Sequence, residues 1–445
     1  MAISMLPPDH PQRLTLADEV HARPFEPVNT PASAGYIALM VDGDARAAEL
    51  AQLVRLAAAH GVGGPASGDT QWRATLGRVR LRWERHGEFS SLLFVQDGAP
   101  AGGAPPPWSE LPAGWLEHLP GQTIVAVRAE VRTGAQGVPD AAALADHFAG
   151  NPVVGARIGD GVGLAFTDFR QRADNTVRLL LVDQGLNAPQ TGRMLQRLFE
   201  IEAYRMLALL ALPIARRQAP RIAAIETALA QLTDGIARED GREETLLHEL
   251  TRLAAEVESG LAASRFRFGA CRAYSELVHT RIAELREQRI EGMQTIEEFM
   301  SRRFAPAVAT CLNVEQRLHD LSERVAQASS LLATRVGIAR ERQNQQLLAS
   351  MDLRARQQLR LQQTVEGLSV AAIVYYAAGL LGYLAKGATA AGLRVHADLV
   401  TAVAIPLLAG AVLWMVRRAR RRATAPDPPE PTAPVPSSGP PGRAP

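Results

Sequence analysis

The chain has 445 residues, of which 47% are hydrophobic, so it is long enough for more than one domain and too apolar to be disordered throughout. Its formal net charge of +2 argues against a nucleic-acid-binding protein, because such a protein needs a clear basic surplus. Two cysteines, Cys271 and Cys311, are too few for a disulfide framework or a four-cysteine zinc site.

Residues 1–188 are predicted to form an α+β cytoplasmic domain with an antiparallel or mixed sheet. The N-terminus lacks a basic start followed by an apolar run, so no secretory signal peptide is expected. Strands are predicted over 35–41, 76–95 (a hairpin turning at His86-Gly87), 123–131, 153–169 (a hairpin turning at Gly159–Gly161) and 176–183. Helices are predicted over 44–60, with Leu50, Leu53, Val54 and Ala57 on one face, and over 139–148. The Gly-, Pro- and Trp-rich region 98–121 is predicted to be an exposed loop.

Residues 189–366 show only helical periodicity and predict a long, coiled-coil-like stalk without strands. A helix over 190–238 is expected to break at Pro213 and again before Pro220, and a second helix should cover 242–289. A third is predicted to begin near Ala307 and to run on into the apolar segment that follows. Apolar side chains recur three and four residues apart along the last two helices, at Leu246, Leu250, Leu253, Val257, Leu261, Tyr274, Leu277, Ile282, Leu285, Leu318, Leu321, Val325, Ala328 and Leu332. The third helix, which continues into the apolar segment, is long enough to need the preceding helices or neighbouring subunits packed along it.

Two uncharged segments, 367–385 and 399–416, are each about long enough to cross a ~30 Å hydrocarbon layer as a helix. A pair of buried core helices is the rival interpretation. Arginines flank the pair, at Arg354, Arg356 and Arg360 before it and at Arg417, Arg418, Arg420, Arg421 and Arg422 after it. The connecting loop has only Lys386 and Arg394 as cations, so the positive-inside rule predicts that both termini are cytoplasmic at a bacterial inner membrane. Trp414 and the second arginine group are predicted membrane anchors, and residues 417–445 form a basic cluster and a disordered Pro-rich tail.

Four sequence blocks carry a resemblance to a known family. They read LPPDHPQRLTLADEVHARPFEP, NPVVGARIGDGVGLAFTDF, GRMLQRLFEIEAYRMLALLALPIAR and YYAAGLLGYLAKG. Together they resemble a bacterial domain-of-unknown-function family of membrane-anchored proteins, over nearly the whole chain except its tail. The resemblance implies a membrane anchor and no established activity.

The order of the parts is also similar to that of CorA-type divalent-cation channels, which are pentamers whose first span lines the pore. That resemblance implies a Gly-Met-Asn motif at the outer end of the first span, where this chain has Gly382, Tyr383 and Leu384. Lys386, repeated around a pore, would repel cations. The likeness therefore implies an oligomeric architecture with altered selectivity.

The candidate pore or membrane-signature residues are Tyr375, Tyr376, Gly379, Gly382, Tyr383 and Lys386. Lys386, the single lysine of the chain, fits an interfacial anchor or a gating group. The hydroxyls of Tyr375 and Tyr376 lie deeper in the span and need a partner helix, whereas Tyr383 suits an interfacial belt. The two glycines predict a face for tight helix packing.

Three further patterns have both a functional and a structural interpretation. Asp18, Glu19 and His21 could hold a metal, although salt bridges or capping fit their spacing better. The segment Gly159–Gly163 could bind phosphate, but it fits a hairpin turn better because no helix follows it. Glu200 and Glu202, beside Tyr204 and Arg205, could sense Mg²⁺ or form ion pairs. The two cysteines are predicted to be buried thiols.

The sequence contains no nucleophile elbow, HExxH motif or Walker loop, so an enzyme is not expected, and neither is a cofactor or a metal. The leading hypothesis is a non-catalytic scaffold or regulator tethered to the inner membrane. The alternative is a CorA-like oligomeric ion channel or transporter. The expected partners are the lipid bilayer and further copies of the chain through the stalk helices, and nucleic acid is not among them.

Overall fold

The protein is described here by a computed structural model, which covers residues 9–14, 16–17, 25–98, 105–134, 137–238, 243–390 and 397–423. The chain divides into two compact units, Met1–Thr334 and Arg335–Pro445, called here the body and the C-terminal unit. The predicted α+β class is confirmed, because the body contains a nine-stranded mixed sheet together with long helices.

The sheet has the strand order β2-β3-β4-β1-β5-β8-β7-β6-β9. Its strands are β1 Ala32–Met40, β2 Gln71–Leu76, β3 Val79–Arg85, β4 Phe89–Asp97, β5 Gln122–Thr133, β6 Val154–Ile158, β7 Gly163–Thr167, β8 Val177–Asp183 and β9 Gln288–Arg289. Neighbouring strands are antiparallel except β5 and β8, which are parallel. The central β5 therefore joins two antiparallel halves.

Eight helices are described, and several begin with a side-chain cap. They are α1 Ala45–Ala59, α2 Ala141–His147, α3 Ala188–Leu209, α4 Leu212–Arg238, α5 Glu243–Leu285, α6 Ile296–Arg303, α7 Ala305–Ala390 and α8 Ala397–Ala423. Asn187 and Gln190 form a reciprocal capping box that starts α3, and Asp140 caps α2. These caps satisfy backbone N–H groups that have no partner within the helix.

Side chains alternate across the sheet, as the period of two requires. On β1, Ala34, Tyr36 and Ala38 face the core shared with α3, α4, α5 and the first part of α7. Ile37 and Leu39 face a second core, formed with α1 and the segment that contains Leu111 and Trp115. A third, smaller core lies between α2 and strands β7 and β8. The sheet is thus the middle layer of the body.

The predicted hairpins at His86-Gly87 and Gly159–Gly161 are confirmed. The predicted exposed loop over 98–121 is correct only in part, because its described residues include two short 3₁₀ helices, Pro107–Glu110 and Leu116–His118, and several buried side chains. Leu111 and Trp115 are buried there, because their apolar side chains cover the sheet. A Cβ at Gly35 would overlap the indole of Trp108, so the missing side chain on β1 admits this packing. The edge strand β2, which pairs with β3, was not predicted.

The helical predictions need three corrections. The predicted break at Pro213 falls earlier, at Leu210–Ala211, because proline is accepted in the first turn of a helix. The predicted break before Pro220 is wrong, since Pro220 lies inside α4. The stalk region 189–366 was predicted to be helical and without strands, but it contains the strand β9, in which Gln288 and Arg289 pair with β6. The short helix α6 follows β9 and precedes α7.

The third correction concerns α1. Its buried face carries Glu49, Leu53, Leu56 and Ala57, whereas Val54 is 43% exposed.

Most of the apolar residues predicted along α5 and α7 are buried within the body, and Leu246, Leu261, Tyr274 and Leu277 are half-buried. Leu250, Leu253 and Val257 on α5 share the main core with Leu318 and Leu321 on α7. Their spacing is therefore explained by packing of α5 and the first part of α7 in the body.

Candidate functional site

Two helical segments of the described chain are long and apolar enough to cross a membrane. One belongs to the helical stretch that ends at Ala388, and the other is Asp398–Arg418. Only 11% of the apolar window in the first and 0% of that in the second is buried within the chain. Apolar helices of a soluble core are mostly buried, so the low burial favours lipid or a partner chain as their surroundings.

The three predicted tyrosines lie on the outer surface of α7. Tyr375, Tyr376 and Tyr383 are 76%, 71% and 78% exposed, and the rings of the first two meet edge to face with centroids 5.7 Å apart. Large apolar side chains around them are equally exposed, such as Leu380 at 65%. The tyrosines therefore belong to a surface that the described residues leave uncovered.

The two predicted glycines differ in their surroundings. A Cβ at Gly382 would lie 3.4 Å from Oγ1 of Thr401 on α8, whereas nothing lies within 4 Å of the corresponding position at Gly379. Ala378 and Ala385, at spacings of four and three from Gly382, are buried. Small residues at these spacings let α7 and α8 approach closely, as in packed membrane helices.

The polar groups at the ends of the helix pair are exposed. Lys386 is exposed on α7, and Arg417 is exposed on α8. The guanidinium carbon of Arg418 lies 5.1 Å from the centre of the Trp414 ring, a cation–π contact at the arginine-rich end. The side chains of Arg420, Arg421 and Arg422 and the residues Arg394 and 424–445 lie outside the described part.

A buried polar network links the sheet to α3 and α5. Arg82 pairs with Glu84 and donates from Nη1 to Oε1 of Gln196 at 3.1 Å, and Gln196 in turn donates to Glu200 at 2.7 Å. Arg281 of α5 pairs with the same Glu200. The network therefore fixes α3 between the sheet and α5 through groups whose charges compensate one another.

Tyr36 lies in the same region, and burial raises the pKa of its phenol well above the ordinary value. Ser91 lies 3.3 Å from Nε2 of His86 and hydrogen-bonds Tyr36, a set that resembles a nucleophile beside a base. The cavity among these groups measures about 20 Å³. That volume fits roughly one water molecule, so the arrangement has no room for a substrate.

Glu49 is a carboxyl group buried on α1, 1% exposed. Trp83 Nε1 and Ser90 Oγ each donate to it at 3.0 Å, to different oxygens. Burial raises the pKa of Glu49. Its spacing of four and seven from Leu53 and Leu56 placed it on the core face, so the sequence contained the signal that finds it.

Cys271 of α5 and Cys311 of α7 are both buried, as predicted. Their thiols are hydrogen-bonded, and this bond and burial raise the pKa of Cys271. Both side chains belong to the main core, so the pair acts as part of the packing between the two helices.

The predicted carboxylate pair on α3 is engaged in ion pairs. Glu202 binds Arg205 on its own helix at 2.6 Å, whereas Glu200 pairs with Arg281 of α5. Within the described ranges no three His, Cys, Asp or Glu side chains converge on a common point. The segment Gly159–Gly163 is the turn between β6 and β7, and Asp18, Glu19 and His21 lie outside the described residues.

A family model described as "Protein of unknown function (DUF3422)" matches residues 8–423. The chain belongs to this family. The predicted resemblance to a domain-of-unknown-function family is confirmed by this match. No curated protein matches the DUF3422 chain, and neither does any solved structure, so the likeness to CorA-type channels stays an expectation.

The most accessible of these features in the DUF3422 chain is the uncovered apolar surface of α7 and α8. The polar network and Glu49 are closed within the body, and their hydrogen bonds stabilise its layers. The exposed apolar helices, in contrast, offer a surface that water does not favour. We therefore treat the helix pair as the candidate functional site.

Proposed function

We propose that this protein is an integral membrane protein with a large cytoplasmic body, which acts as a non-catalytic, membrane-tethered scaffold or regulator. The observation that carries the proposal is the exposure of the apolar windows, of which 11% and 0% are buried. Placing large apolar side chains in hydrocarbon removes the cost of exposing them to water.

The arrangement of charges supports an orientation for the two helices. Arg354, Arg356 and Arg360 precede the first apolar segment, and Arg417 and Arg418 follow the second. Cytoplasmic flanks are enriched in Arg and Lys, so both termini are proposed to be cytoplasmic at a bacterial inner membrane. In this topology Lys386 and Tyr383 lie near the outer surface, and the cation–π pair of Arg418 and Trp414 lies near the inner one.

Self-association through α7 is part of the proposal. Exposed apolar side chains also occur before the first span, including Ile338, Leu347 and Met351 at 50%, 55% and 64% exposure. Apolar residues on a long, otherwise charged helix are covered in coiled-coil oligomers. We therefore propose a homo-oligomeric stalk. The mass of the detergent-solubilised particle tests it: protein mass equal to two or more chains of 47.9 kDa is expected, and the mass of a single chain would contradict it.

The alternative function, a CorA-like channel or transporter, is supported by the continuity of α7, which is one helix from Ala305 to Ala390. A helix that runs from the body into the apolar segment could transmit a change of state to a pore. Planar-bilayer recording of the wild type and of Lys386→Glu tests this alternative. Ionic current that changes its selectivity in the variant would favour it, whereas absence of current from both would remove it.

Extraction of membranes at alkaline pH tests the anchor itself. The wild type is expected to remain in the membrane pellet. In the double variant Leu380→Arg/Leu407→Arg, two exposed apolar positions become charged. Placing each arginine near the centre of a span costs about 2.5–3.5 kcal/mol of insertion free energy. We expect this variant to be lost from the pellet.

The matched control is the double variant Leu347→Arg/Leu359→Arg, which adds the same charge at exposed positions of α7 ahead of the apolar segment. This control should stay in the pellet with the wild type. Wild-type protein in the supernatant, or equal loss of both variants, would refute the proposed anchor.

A further inference from the structure

Strand β5 has a free edge over its first five residues. Its whole pairing with β1 runs from Gln122 opposite Met40 to Val131 opposite Ala32, but its pairing with β8 starts only at Val127, opposite Val177. Among the described strands, the segment Gln122–Ala126 therefore has a neighbour on one side only. Backbone groups on such an edge are ready to pair with another extended chain.

The chain cannot fill this edge itself by extending β8 backwards. Before Val177 it makes a tight turn in which Asn175 has a φ of 59°. Oδ1 of Asp174 accepts hydrogen bonds from the backbone N–H of Thr176 at 3.1 Å and from its hydroxyl at 2.7 Å. This turn ends the strand, so that no described residue pairs with Gln122–Ala126 on the side of β8.

A groove of about 1140 Å³, called here the β5 groove, lies along this edge. Trp108 and Trp115 line it from one layer of the body, and Met206 and Arg205 of α3 line it from the other. Because both layers contribute, the groove occupies the place in the sheet where β8 is missing. Such a volume and mixed lining suit a ligand of several residues.

Arg205 is a preorganised hydrogen-bond donor in this groove. Its Nε and Nη2 donate to the two oxygens of Glu202 at 2.9 and 2.6 Å. Its guanidinium carbon lies 5.6 Å from the centre of the Phe169 ring, which stacks on Phe299 at 4.8 Å. The hydrogen bonds of this guanidinium to described residues use Nε and Nη2, and Nη1 takes part in neither of them. A fixed guanidinium with a free N–H edge is suited to bind a carboxylate.

The charged groups of the groove lie towards different ends of the free edge. Glu202, the partner of Arg205, also lines a small cavity with Val127 and Val177, so the arginine is at the Val127 end. Glu117, in contrast, belongs to the short 3₁₀ helix Leu116–His118, which precedes Gln122 in the chain. The third carboxylate of the lining, Asp174, is already bound by Arg128 and Arg178. The carboxylate of Glu117 is therefore towards the Gln122 end of the free edge, and the donor Arg205 is at the Val127 end.

We propose that the β5 groove binds the C-terminal segment of a partner protein as an added strand, parallel to β5, with its terminal carboxylate on Nη1 of Arg205. In this direction the peptide follows the line of β8, and its carboxyl end reaches Val127. Main-chain hydrogen bonds to Gln122–Ala126 supply affinity, and the carboxylate selects a chain end over an internal segment. The proposal concerns the body and does not depend on the membrane anchor.

The test uses the detergent-solubilised full chain and a library of fluorescein-labelled hexapeptides in two forms, C-terminal acid and C-terminal amide. Fluorescence anisotropy should detect acid peptides that bind at least about tenfold more tightly than their amides, the effect of one charge-assisted hydrogen bond. Arg205→Lys keeps a cation beside Glu202 but removes the planar donor. It should therefore reduce the ratio of acid-peptide affinity to amide-peptide affinity to near one.

Two matched controls separate the groove from general effects. Arg317 binds Glu226 through Nε and Nη2 in the same way, at 3.3 and 2.7 Å, but outside the groove, so Arg317→Lys should leave binding unchanged. Thr123→Trp fills the groove and should abolish binding, whereas Thr75→Trp on the edge strand β2 should not.

Three results would overturn the proposal: no binding by any acid peptide, equal binding of acids and amides, or an Arg205→Lys variant that keeps the preference. Preference for acidic side chains in amidated peptides would likewise overturn the terminal carboxylate as the group recognised. Thermal unfolding followed by circular dichroism checks that each variant is folded before its binding is compared.

Discussion

Most large apolar side chains are buried in the body, whereas in the C-terminal unit most of them are exposed. Leu181 of β8 is 0% exposed in the body, whereas Leu380 of α7 and Leu407 of α8 are 65% and 69% exposed. In the body, apolar residues alternate across a sheet and meet three separate cores. In the two apolar segments of the C-terminal unit large apolar side chains are mostly exposed, and the small residue Gly382 lies against Thr401 of the neighbouring helix.

This difference supports the proposal that the apolar segments of the C-terminal unit lie in lipid while the body lies in water. Water drives apolar burial in the body, where the layers exclude it. Helices in hydrocarbon gain nothing by hiding leucine from lipid, and they associate through small residues that allow close packing. The predictions below separate these two environments, from the largest expected effect to the smallest.

The largest difference is expected between two leucine truncations. Leu181→Ala removes a fully buried side chain and should lower the free energy of unfolding of the body by about 2–5 kcal/mol. Leu380→Ala should leave that free energy unchanged. Denaturant unfolding of the solubilised chain, followed by the fluorescence of the body tryptophans, measures both. Equal destabilisation would mean that Leu380 also packs in a core of the body.

A smaller effect is expected from the polar network of the body. Arg82→Ala leaves Glu84 without its arginine and should cost about 2 kcal/mol, less than for a fully buried pair because the Glu84 side chain is 12% exposed. Arg317→Ala, in a pair whose side chains are 35% and 34% exposed, should cost below about 1 kcal/mol. The same unfolding measurement applies. A larger loss from Arg317→Ala would contradict the stabilising role of the network.

A pH effect is expected from Glu49, whose pKa is raised by burial above the ordinary value of 4.5. The unfolded chain then releases this proton at lower pH than the folded one, so stability declines as the pH rises above about 4.5. Glu49→Gln should show a smaller decline between pH 4.5 and 7 than the wild type. Unfolding curves at several pH values measure the slopes, and Glu256→Gln on the exposed face of α5 is the control. An unchanged slope in Glu49→Gln would show that Glu49 ionises normally.

The smallest effect is expected at Lys386. Lys386, the proposed interfacial anchor, is exposed, and Lys386→Gln should change neither membrane retention at alkaline pH nor the stability of the body. Loss of the protein from the membrane pellet would show that this charge determines the position of the first span.

The sequence predicted the elements whose signal is local. The hairpins at His86-Gly87 and Gly159–Gly161 follow from alternation and turn residues, and the two apolar helices follow from continuous composition. β2 was missed because Gln71–Leu76 is short and contains Arg73 among its apolar residues. The segment with Trp108 and Trp115 resembled a loop in composition, and its burial depends on distant partners on the sheet.

The candidate sites divide in the same way. Tyr375, Tyr376 and Lys386 could be found from the sequence because they belong to one segment of unusual composition. The β5 groove could not, since Trp108, Thr123, Phe169 and Arg205 come together only through the pairing of β5 with β8 and the packing of α3. A resemblance in a few sequence blocks carries no information on such a gap in the sheet.

Contact between the C-terminal unit and lipid is tested most directly by the fluorescence of Trp414, which is 61% exposed on α8; the other four tryptophans, of five in the chain, belong to the body. The purified protein is reconstituted into phosphatidylcholine vesicles with either ordinary or brominated acyl chains, since bromine quenches tryptophan only on contact. We expect weaker emission in the brominated vesicles, and no such difference for Trp414→Phe. Equal emission of the wild type in both vesicles would contradict a lipid-embedded α8.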